Sequence, residues 1–262
     1  MRFPNSMRDG NAHAHTIAGL LAAAALLVAS VALLVPAAAS AADEPPPKPT
    51  KLTGDFAYVS TAGNSETQTL TGTEKLEHKT GNWLWTQDAA AVWGTDSGVE
   101  NAGRYLFGLR GDRTITTRVS AYGLGTWRRN TFAAISRQFD EGVGLAYHAL
   151  IPSPQQLDLE AGVGLSQRRD TFGTQDDFGT WRLAALYRYY FKEKTYFEGN
   201  GTYMGNFKTS DDYEWDAKTS LVAPLSRILA MKFGYNYHYR NAPLPGIKHW
   251  DSTFAAGIQV SY

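Results

Sequence analysis

An all-β fold is predicted from the sequence, an up-and-down antiparallel transmembrane β-barrel of the outer-membrane type with about 12 strands. Three features indicate it. Apolar side chains recur with a period of two, the candidate strands are long, and short and long connections alternate along the chain. Soluble strands have a mode of about 5 to 6 residues, whereas a tilted strand that crosses a bilayer needs about 9 to 11, and most of the candidates reach the greater length.

The last segment of the chain, from Trp250 to Tyr262, shows the period of two most clearly. One face carries Phe254, Ala256, Ile258, Val260 and Tyr262, and the other carries Thr253, Ala255, Gly257, Gln259 and Ser261. This alternation indicates a strand, because successive side chains of a strand point to opposite faces of the sheet. A half-buried strand of a soluble sandwich would show the same pattern, so the other segments decide between the two.

The N-terminal residues 1–42 are predicted to be a secretory signal peptide. Arg2 and Arg8 precede a long apolar run, and small residues near Ala39-Ser40-Ala41 form a cleavage site. The run could just span a bilayer, so an uncleaved anchor is the alternative. Residues 43–50 form a stiff proline-rich linker, and residues 51–262 form the barrel.

The composition excludes several classes of function. The whole chain has a formal net charge of zero, and removal of residues 1–42, with two arginines and one aspartate, changes it to −1. A near-neutral chain gives no electrostatic reason to expect a nucleic acid partner. Cysteine is absent, which excludes disulfides and thiolate metal sites.

Twelve candidate strands follow one another, and no segment shows a convincing amphipathic helix. They cover approximately residues 51–60, 67–79, 83–95, 102–115, 119–129, 139–151, 156–168, 180–191, 196–205, 213–223, 228–240 and 250–262. The connections after even-numbered strands are short. Those after odd-numbered strands are longer and polar or rich in glycine and proline, at residues 61–66, 96–101, 130–138, 169–179, 206–212 and 241–249. Short periplasmic turns and long outer loops are typical of an up-and-down barrel with both termini on the inner side.

The faces of the strands predict a polar interior. In the eleventh strand one side carries Leu229, Met231, Phe233, Tyr235, Tyr237 and Tyr239, and the other carries Ala230, Lys232, Gly234, Asn236, His238 and Arg240. Polar residues as large as these cannot all fill a dry core, which favours an outer-membrane barrel over a soluble sandwich. The second and fifth strands alternate poorly, and their faces are not assigned.

The predicted lumen-lining residues are the functional feature of the sequence. They are Glu160, Arg182, Arg188, Glu214, Asp216, Lys218, Lys232, Asn236, His238 and Arg240. Glu160 and Arg188 are expected to be near cross-strand neighbours if their hairpin is centred around Gln175. Such charges either line a narrow aqueous path or pair across the interior and plug it. Since about eight strands are filled by side chains and about sixteen leave an open channel, twelve favours a tight or gated lumen.

Aromatic residues gather near the strand ends and predict two girdles at the membrane interfaces. The girdle residues are Trp83, Trp85, Trp93, Trp127, Trp181, Trp215, Trp250 and Tyr262.

An enzyme was weighed as the alternative, namely a lipid or ester hydrolase in an outer-membrane barrel. His249-x-x-Ser252 supplies a nucleophile and a base, and His238 and Asp251 could complete the arrangement. No oxyanion donor can be named, so no enzyme is expected. No metal site or cofactor is expected, because the histidines lack ligand spacing. A soluble periplasmic β-barrel that binds a lipid or sugar is the third hypothesis.

Several short motifs, taken in order, resemble a known family. They are Gly63-Asn64-Ser65, Arg129-Asn130-x-Phe132, Gly142-x-Gly144-Leu145-x-Tyr147, Gly162-x-Gly164 and Pro245-Gly246-x-Lys248-x-x-Asp251. Together they resemble the salt-induced outer-membrane proteins, the YdiY-like family of unknown function, over residues 52–262. The resemblance implies an outer-membrane barrel of Gram-negative bacteria whose expression is linked to salt, with no catalytic residues to carry over.

The expected location is therefore the cell outer membrane, and the expected role is a narrow pore for small solutes or ions, or a structural envelope protein under salt or osmotic stress. The expected partners are outer-membrane lipid, lipopolysaccharide, and the barrel-assembly machinery, which would engage the C-terminal strand. The sequence predicts no oligomeric state.

Overall fold

The computed structural model describes residues 49–61, 67–97, 99–151, 154–192 and 194–262. The predicted signal peptide at residues 1–42, and residues 43–48 of the predicted linker, lie outside these ranges. Within them, no helix has the length and apolar character needed to cross a membrane.

Twelve β-strands make up nearly all of the described chain. They are β1 (Thr50–Thr61), β2 (Thr67–Thr80), β3 (Trp83–Asp96), β4 (Val99–Thr114), β5 (Val119–Asn130), β6 (Ile135–Leu150), β7 (Gln155–Asp170), β8 (Gln175–Lys192), β9 (Thr195–Asn206), β10 (Tyr213–Pro224), β11 (Leu229–Arg240) and β12 (Trp250–Ser261). A single 3-10 turn, Thr131–Ala133, lies between β5 and β6.

The strands form one closed antiparallel barrel in which each strand pairs with its neighbours in sequence. Closure is made by β1 and β12, where Asp55 lies opposite Gln259 and Thr53 lies opposite Ser261. The predicted twelve-stranded, up-and-down architecture is confirmed. The rim that carries the two chain ends and the connections after even-numbered strands is called the inner rim, and the opposite one is the outer rim.

The predicted lengths of three outer connections are wrong. β4 begins at Val99, β6 at Ile135 and β8 at Gln175, so the connections that precede them are short turns. The sequence predicts loops for the polar residues at these strand starts, whereas the residues extend the ladder beyond the apolar part of the wall. Some of them, such as Gln138 and Asp176, point inward. The difference in length between the two rims is consequently weaker than predicted, and the connections at residues 207–212 and 241–249 are the longest on the outer rim.

A contact across the barrel determines which side chains face the lumen. Arg128 of β5 pairs with Glu214 of β10. Four strands separate β5 from β10 on the shorter path, so this pair can only meet inside the barrel. The strand register then assigns every second residue of the other strands to the inside, and it resolves the two strands that the sequence left open. β2 points Thr73, Lys75 and Glu77 inward, and β5 points Tyr122 and Arg128 inward.

The outward positions form an apolar wall. Its exposed members include Phe56, Leu109, Val143, Leu145, Leu159, Val163, Leu183, Phe233, Phe254, Ile258 and Val260. In water so much exposed apolar surface would be unfavourable, whereas it matches the hydrocarbon core of a bilayer. The outward face of β2 and β3 differs, because Glu74 and Gln87 are hydrogen-bonded there and Glu74 and Trp93 are each only 5% exposed.

Glycines on β6 and β7 make room for one large inward side chain. Gly144 and Gly162 lie opposite each other, and the ring of Tyr122 from β5 lies over both. A Cβ added at Gly162 would overlap the Tyr122 hydroxyl and would lie 2.7 Å from the carbonyl oxygen of Val143, which is part of the backbone. Gly144 and Gly162 therefore leave the space that the inward side chain of Tyr122 occupies.

We expect Gly162→Ala to lower the free energy of unfolding by about 1 to 3 kcal/mol, the usual cost of overpacking, because backbone as well as side chain must move. The measurement is urea unfolding in phospholipid vesicles, followed by heat-modifiable gel mobility. Gly123→Ala on β5 is the matched control, since no atom lies within 4 Å of the added Cβ. Equal stability of the two variants would contradict the packing described for Tyr122.

Candidate functional site

The outer half of the lumen is crossed by a set of ion pairs, called the outer cluster. Its members are Arg128, Asp140, Arg168, Asp212, Glu214 and Arg240. Arg128 contacts both Glu214 and Asp140, with 3.3 Å to the latter. Asp212 accepts hydrogen bonds from Arg168 at 2.7 Å and from Arg240 at 3.4 Å. The arginines come from β5, β7 and β11, so the cluster connects opposite walls.

The outer cluster is packed and largely shielded from water. Its side chains are between 8% and 14% exposed. Beside it, Gln138 and Ser166 are fully buried. Gln138 donates to Asp140 at 2.9 Å and to Ser166 at 3.0 Å, and the Ser166 hydroxyl donates to Asp140 at 2.6 Å. The side chains thus fill this level of the barrel.

Asp212 lies in the connection between β9 and β10, outside the strands. Burial alone would raise the pKa of its carboxyl, but hydrogen bonds from Arg168 and Asn206 and the charge of Arg240 outweigh burial and hold that pKa below its ordinary value. The carboxylate is therefore charged at neutral pH and remains a partner for both arginines.

A second group occupies the middle of one wall. Glu160 of β7 accepts hydrogen bonds from Arg110 of β4, at 2.9 and 3.0 Å, and from Arg182 of β8, at 2.6 Å. Arg110 also donates to Asp112 at 2.7 and 2.8 Å, and its guanidinium lies 4.3 Å from the centre of the Tyr122 ring. These side chains fill the lumen against β4 to β8.

The opposite wall carries smaller inward side chains and leaves more space. They include Asn200, Thr202, Ser220, Gly234, Asn236, Thr253 and Ala255. At mid-height Lys218 lies in register with Asn200 and Asn236 and is exposed, within electrostatic reach of Asp88 on β3. The lumen face of β9 to β12 therefore carries mostly small or uncharged side chains at mid-height.

Ion pairs in the inner half are wetter than those of the outer cluster. Lys75 pairs with Glu77 at 2.8 Å, and their side chains are 42% and 27% exposed. Lys232 pairs with Asp55 at 2.5 Å, across β12, with 29% and 21% exposed. Arg188 of β8 contacts Glu198 of β9 with similar exposure. The side chains of these three inner pairs are therefore more exposed to water than those of the outer cluster.

The structure places all ten predicted lumen residues on inward positions, but it changes their pairing. The predicted proximity of Glu160 and Arg188 is wrong, because the β7–β8 hairpin sets Glu160 opposite Ala184 and Arg188 opposite Gln156. Glu160 pairs with Arg110 and Arg182 instead. His238 contacts Asp216 at 2.9 Å.

Sequence reasoning missed several of the residues that organise the lumen. They are Asp55, Arg110, Tyr122, Arg128, Asp140, Arg168, Glu198 and Asp212. Arg128 and Tyr122 lie on β5, whose poor alternation hid its inner face. Contacts between distant strands, such as β4 to β7, leave no local signal in the sequence.

The predicted girdle residues all occupy outward positions. Trp93, Trp127, Trp181, Trp215 and Trp250 lie toward the outer rim, and Trp83, Trp85 and Tyr262 lie toward the inner rim. Trp83 and Trp85 stack with 5.5 Å between ring centres.

The hydrolase arrangement considered from sequence does not assemble. His238 and Asp251 lie opposite each other on inward positions, whereas Ser252 points outward. A different trio forms at the inner rim, where Ser120 Oγ lies 3.0 Å from Nε2 of His148, and Nδ1 of the same ring lies 2.7 Å from Asp158. Ser120 is only 5% exposed, and Ser120 and its neighbours lie in the strand ladder. The trio lacks the accessible nucleophile and the free oxyanion donors that acyl transfer needs.

We therefore expect purified protein to remain unlabelled by a fluorophosphonate probe that reacts with activated serines. The measurement is in-gel fluorescence, with Ser120→Ala and His148→Ala as comparisons. Labelling of the wild type that both substitutions abolish would show that Ser120 is an activated nucleophile, contrary to this expectation.

No group of three or more metal-ligating His, Asp or Glu residues occurs in the part of the chain that the structure describes.

The fold and lumen define the class of protein, an outer-membrane-type β-barrel with an apolar outer wall and a polar interior. The chain belongs to a protein family of unknown function, DUF481, whose model matches residues 54–262.

Among solved structures it is similar to the NanC porin, with 10% identity and a TM-score of 0.50 over 80% of this chain and 98% of that one. The translocator domain of the autotransporter NalP from Neisseria meningitidis also matches, with 13% identity and a TM-score of 0.48 over 84% of this chain and 90% of that one. No curated protein matches significantly. The barrel fold indicates an outer-membrane location.

Proposed function

We propose that the protein is a narrow, gated channel for small hydrophilic solutes or ions in the outer membrane. The observation that carries this proposal is a contrast in exposure to water. The side chains of the three inner pairs, Lys75–Glu77, Lys232–Asp55 and Arg188–Glu198, are 21% to 42% exposed, whereas those of the outer cluster are 8% to 14% exposed and would close the lumen. A barrel of twelve strands lies between the filled eight-stranded and the open sixteen-stranded sizes, so a modest rearrangement of side chains is enough to open or close it.

The chemistry of the outer cluster favours a gate over a permanent structural plug. Buried ion pairs add little stability compared with well-packed apolar residues, so a barrel that needed only to be filled would gain more from apolar side chains. The cluster is also incompletely satisfied, because Nε of Arg128, Nε of Arg240 and Oε1 of Gln138 are buried without a hydrogen-bond partner in the protein. Each such group raises the free energy of the closed state. The free-energy difference between the closed and the open arrangement is therefore smaller than it would be if every group had a partner.

The resemblance to salt-induced outer-membrane proteins suggests when such a channel would act, and we propose that it acts in the envelope under salt or osmotic stress. A closure made of ion pairs responds to ionic strength, although buried pairs are screened less than exposed ones. The purely structural envelope role is the outcome that remains if the lumen never conducts.

The test compares two adjacent arginines that face opposite sides of the wall. Arg128→Ala removes the partner of Glu214 and Asp140 and leaves two unpaired carboxylates in the outer cluster, which should force it open. We expect the open probability in planar bilayers to rise by about tenfold, equivalent to about 1.4 kcal/mol, which is within the cost of breaking a buried pair.

Arg129→Ala is the matched control, because it makes the same change of charge at an exposed, outward position and should leave conductance unchanged. Both variants must first show heat-modifiable mobility. A well-folded Arg128→Ala variant that conducts no more than wild type would contradict the gate. Absence of conductance in every form would favour the structural role.

A further inference from the structure

An apolar groove lies on the outside of the barrel wall near the inner rim. Its volume is about 760 Å³, and its floor is formed by Ala121 and Gly123 on β5, beside Gly111 of β4, which the ring of Trp85 covers. Val143 and Leu145 of β6 and Val163 of β7 form one side, and each is more than half exposed. The position of a Cβ on Gly123 has no atom within 4 Å, so the groove is open at its centre.

A single cation lies at the inner end of this groove. Arg113 occupies an outward position on β4, in register with Trp83 on one side and Ala121 on the other. Its guanidinium lies 5.9 Å from the centre of the Trp83 ring. Arg113 is exposed and forms no ion pair with any residue that the structure describes. An arginine at the level of the membrane interface can bind the phosphate of a lipid headgroup through its guanidinium.

The turn beside the groove adds a positive charge. Arg118 lies between β4 and β5 and forms no ion pair with any residue of the described chain. Arg118 donates to the carbonyl oxygens of His148 and Ala149, which holds its side chain across the rim beside β6. Positive charge at this level complements the phosphates of a phospholipid leaflet.

We propose that this groove binds one anionic phospholipid of the inner leaflet, with an acyl chain against Ala121 and Gly123 and the phosphate at Arg113. The small residues recess the wall by the width that larger side chains occupy elsewhere, so a chain can pack into it. The neighbouring Arg118 adds a second cation for the headgroup. This inference rests on the position of the barrel in the membrane and is independent of whether the lumen conducts.

The test is native mass spectrometry of the full-length protein extracted in mild detergent from vesicles of phosphatidylethanolamine that contain phosphatidylglycerol as the minor lipid. We expect the wild type to retain one phosphatidylglycerol in preference to phosphatidylethanolamine. Arg113→Gln should lower that retention about fivefold, the effect of one arginine at a charged membrane surface. Arg137→Gln is the matched control, because Arg137 is also exposed and outward but lies near the outer rim.

A second variant keeps the test independent of charge. Gly123→Leu fills the floor of the groove, where the structure has space for a side chain, and should lower retention with every cation in place. Heat-modifiable mobility verifies folding of each variant, and conductance of the same samples reports on the lumen separately. Equal retention of both lipids by the wild type, or equal losses in Arg113→Gln and Arg137→Gln, would each overturn the proposal.

Discussion

Closure of the sheet between β1 and β12 is the constraint on which the rest of the structure depends. In hydrocarbon an unpaired backbone amide or carbonyl has no water to bond, so an open edge would be prohibitively costly. Antiparallel pairing of Thr53–Phe56 with Ile258–Ser261 closes the sheet. Once the wall is closed, the period of two sorts every strand into a lipid face and a lumen face, and the lumen face carries the ion pairs that cross the barrel.

The charged interior then has to satisfy itself across the barrel. Arg128 reaches Glu214 from a strand that is not its neighbour, and Arg110 reaches Glu160 in the same way. Such contacts tie the walls together where the side chains are largest, and they leave the wall from β9 to β12 comparatively free. The result is an asymmetric lumen, filled near the outer rim and wet near the inner rim, and the proposed gate follows from that asymmetry.

Local pattern carried most of the fold. The twelve strands and the inward position of residues such as Lys232 and His238 follow from alternation and length, which are properties of each strand alone. The sequence predicts a loop at Gln138 because the residues there are polar, whereas β6 already begins at Ile135 and continues past the apolar part of the wall. The partners of Glu160 could not be predicted, since they depend on the register of the hairpin and on the curvature of the barrel. A shift of two residues between β7 and β8 would place a different inward side chain opposite Glu160. Tyr122 could not be assigned from sequence because the outward positions beside it, Ala121 and Gly123, are small, which removes the contrast between the two faces of the strand.

The same small residues of β5 connect the two faces of the wall. Gly123 and Ala121 recess the outer surface beside Arg113, while Tyr122 between them fills the space above Gly144 and Gly162 on the inside. One strand therefore shapes both the proposed lipid groove and the middle of the lumen. A lipid bound in this groove would lie against β5, the strand that also carries Arg128. The membrane would then contact the strand that contributes to the proposed gate.

The central claim is that the lumen is accessible from the inner rim and closed at the outer rim. The natural chain has no cysteine, so a single engineered thiol reports without background. Asn236→Cys places that thiol at mid-height on the open wall, and Lys208→Cys places it in an outer connection as a control. We expect a membrane-impermeant maleimide, added to intact cells, to label Lys208→Cys but not Asn236→Cys. Once the inner rim is accessible to the reagent, both variants should be labelled. Rapid labelling of Asn236→Cys from outside in intact cells would contradict it.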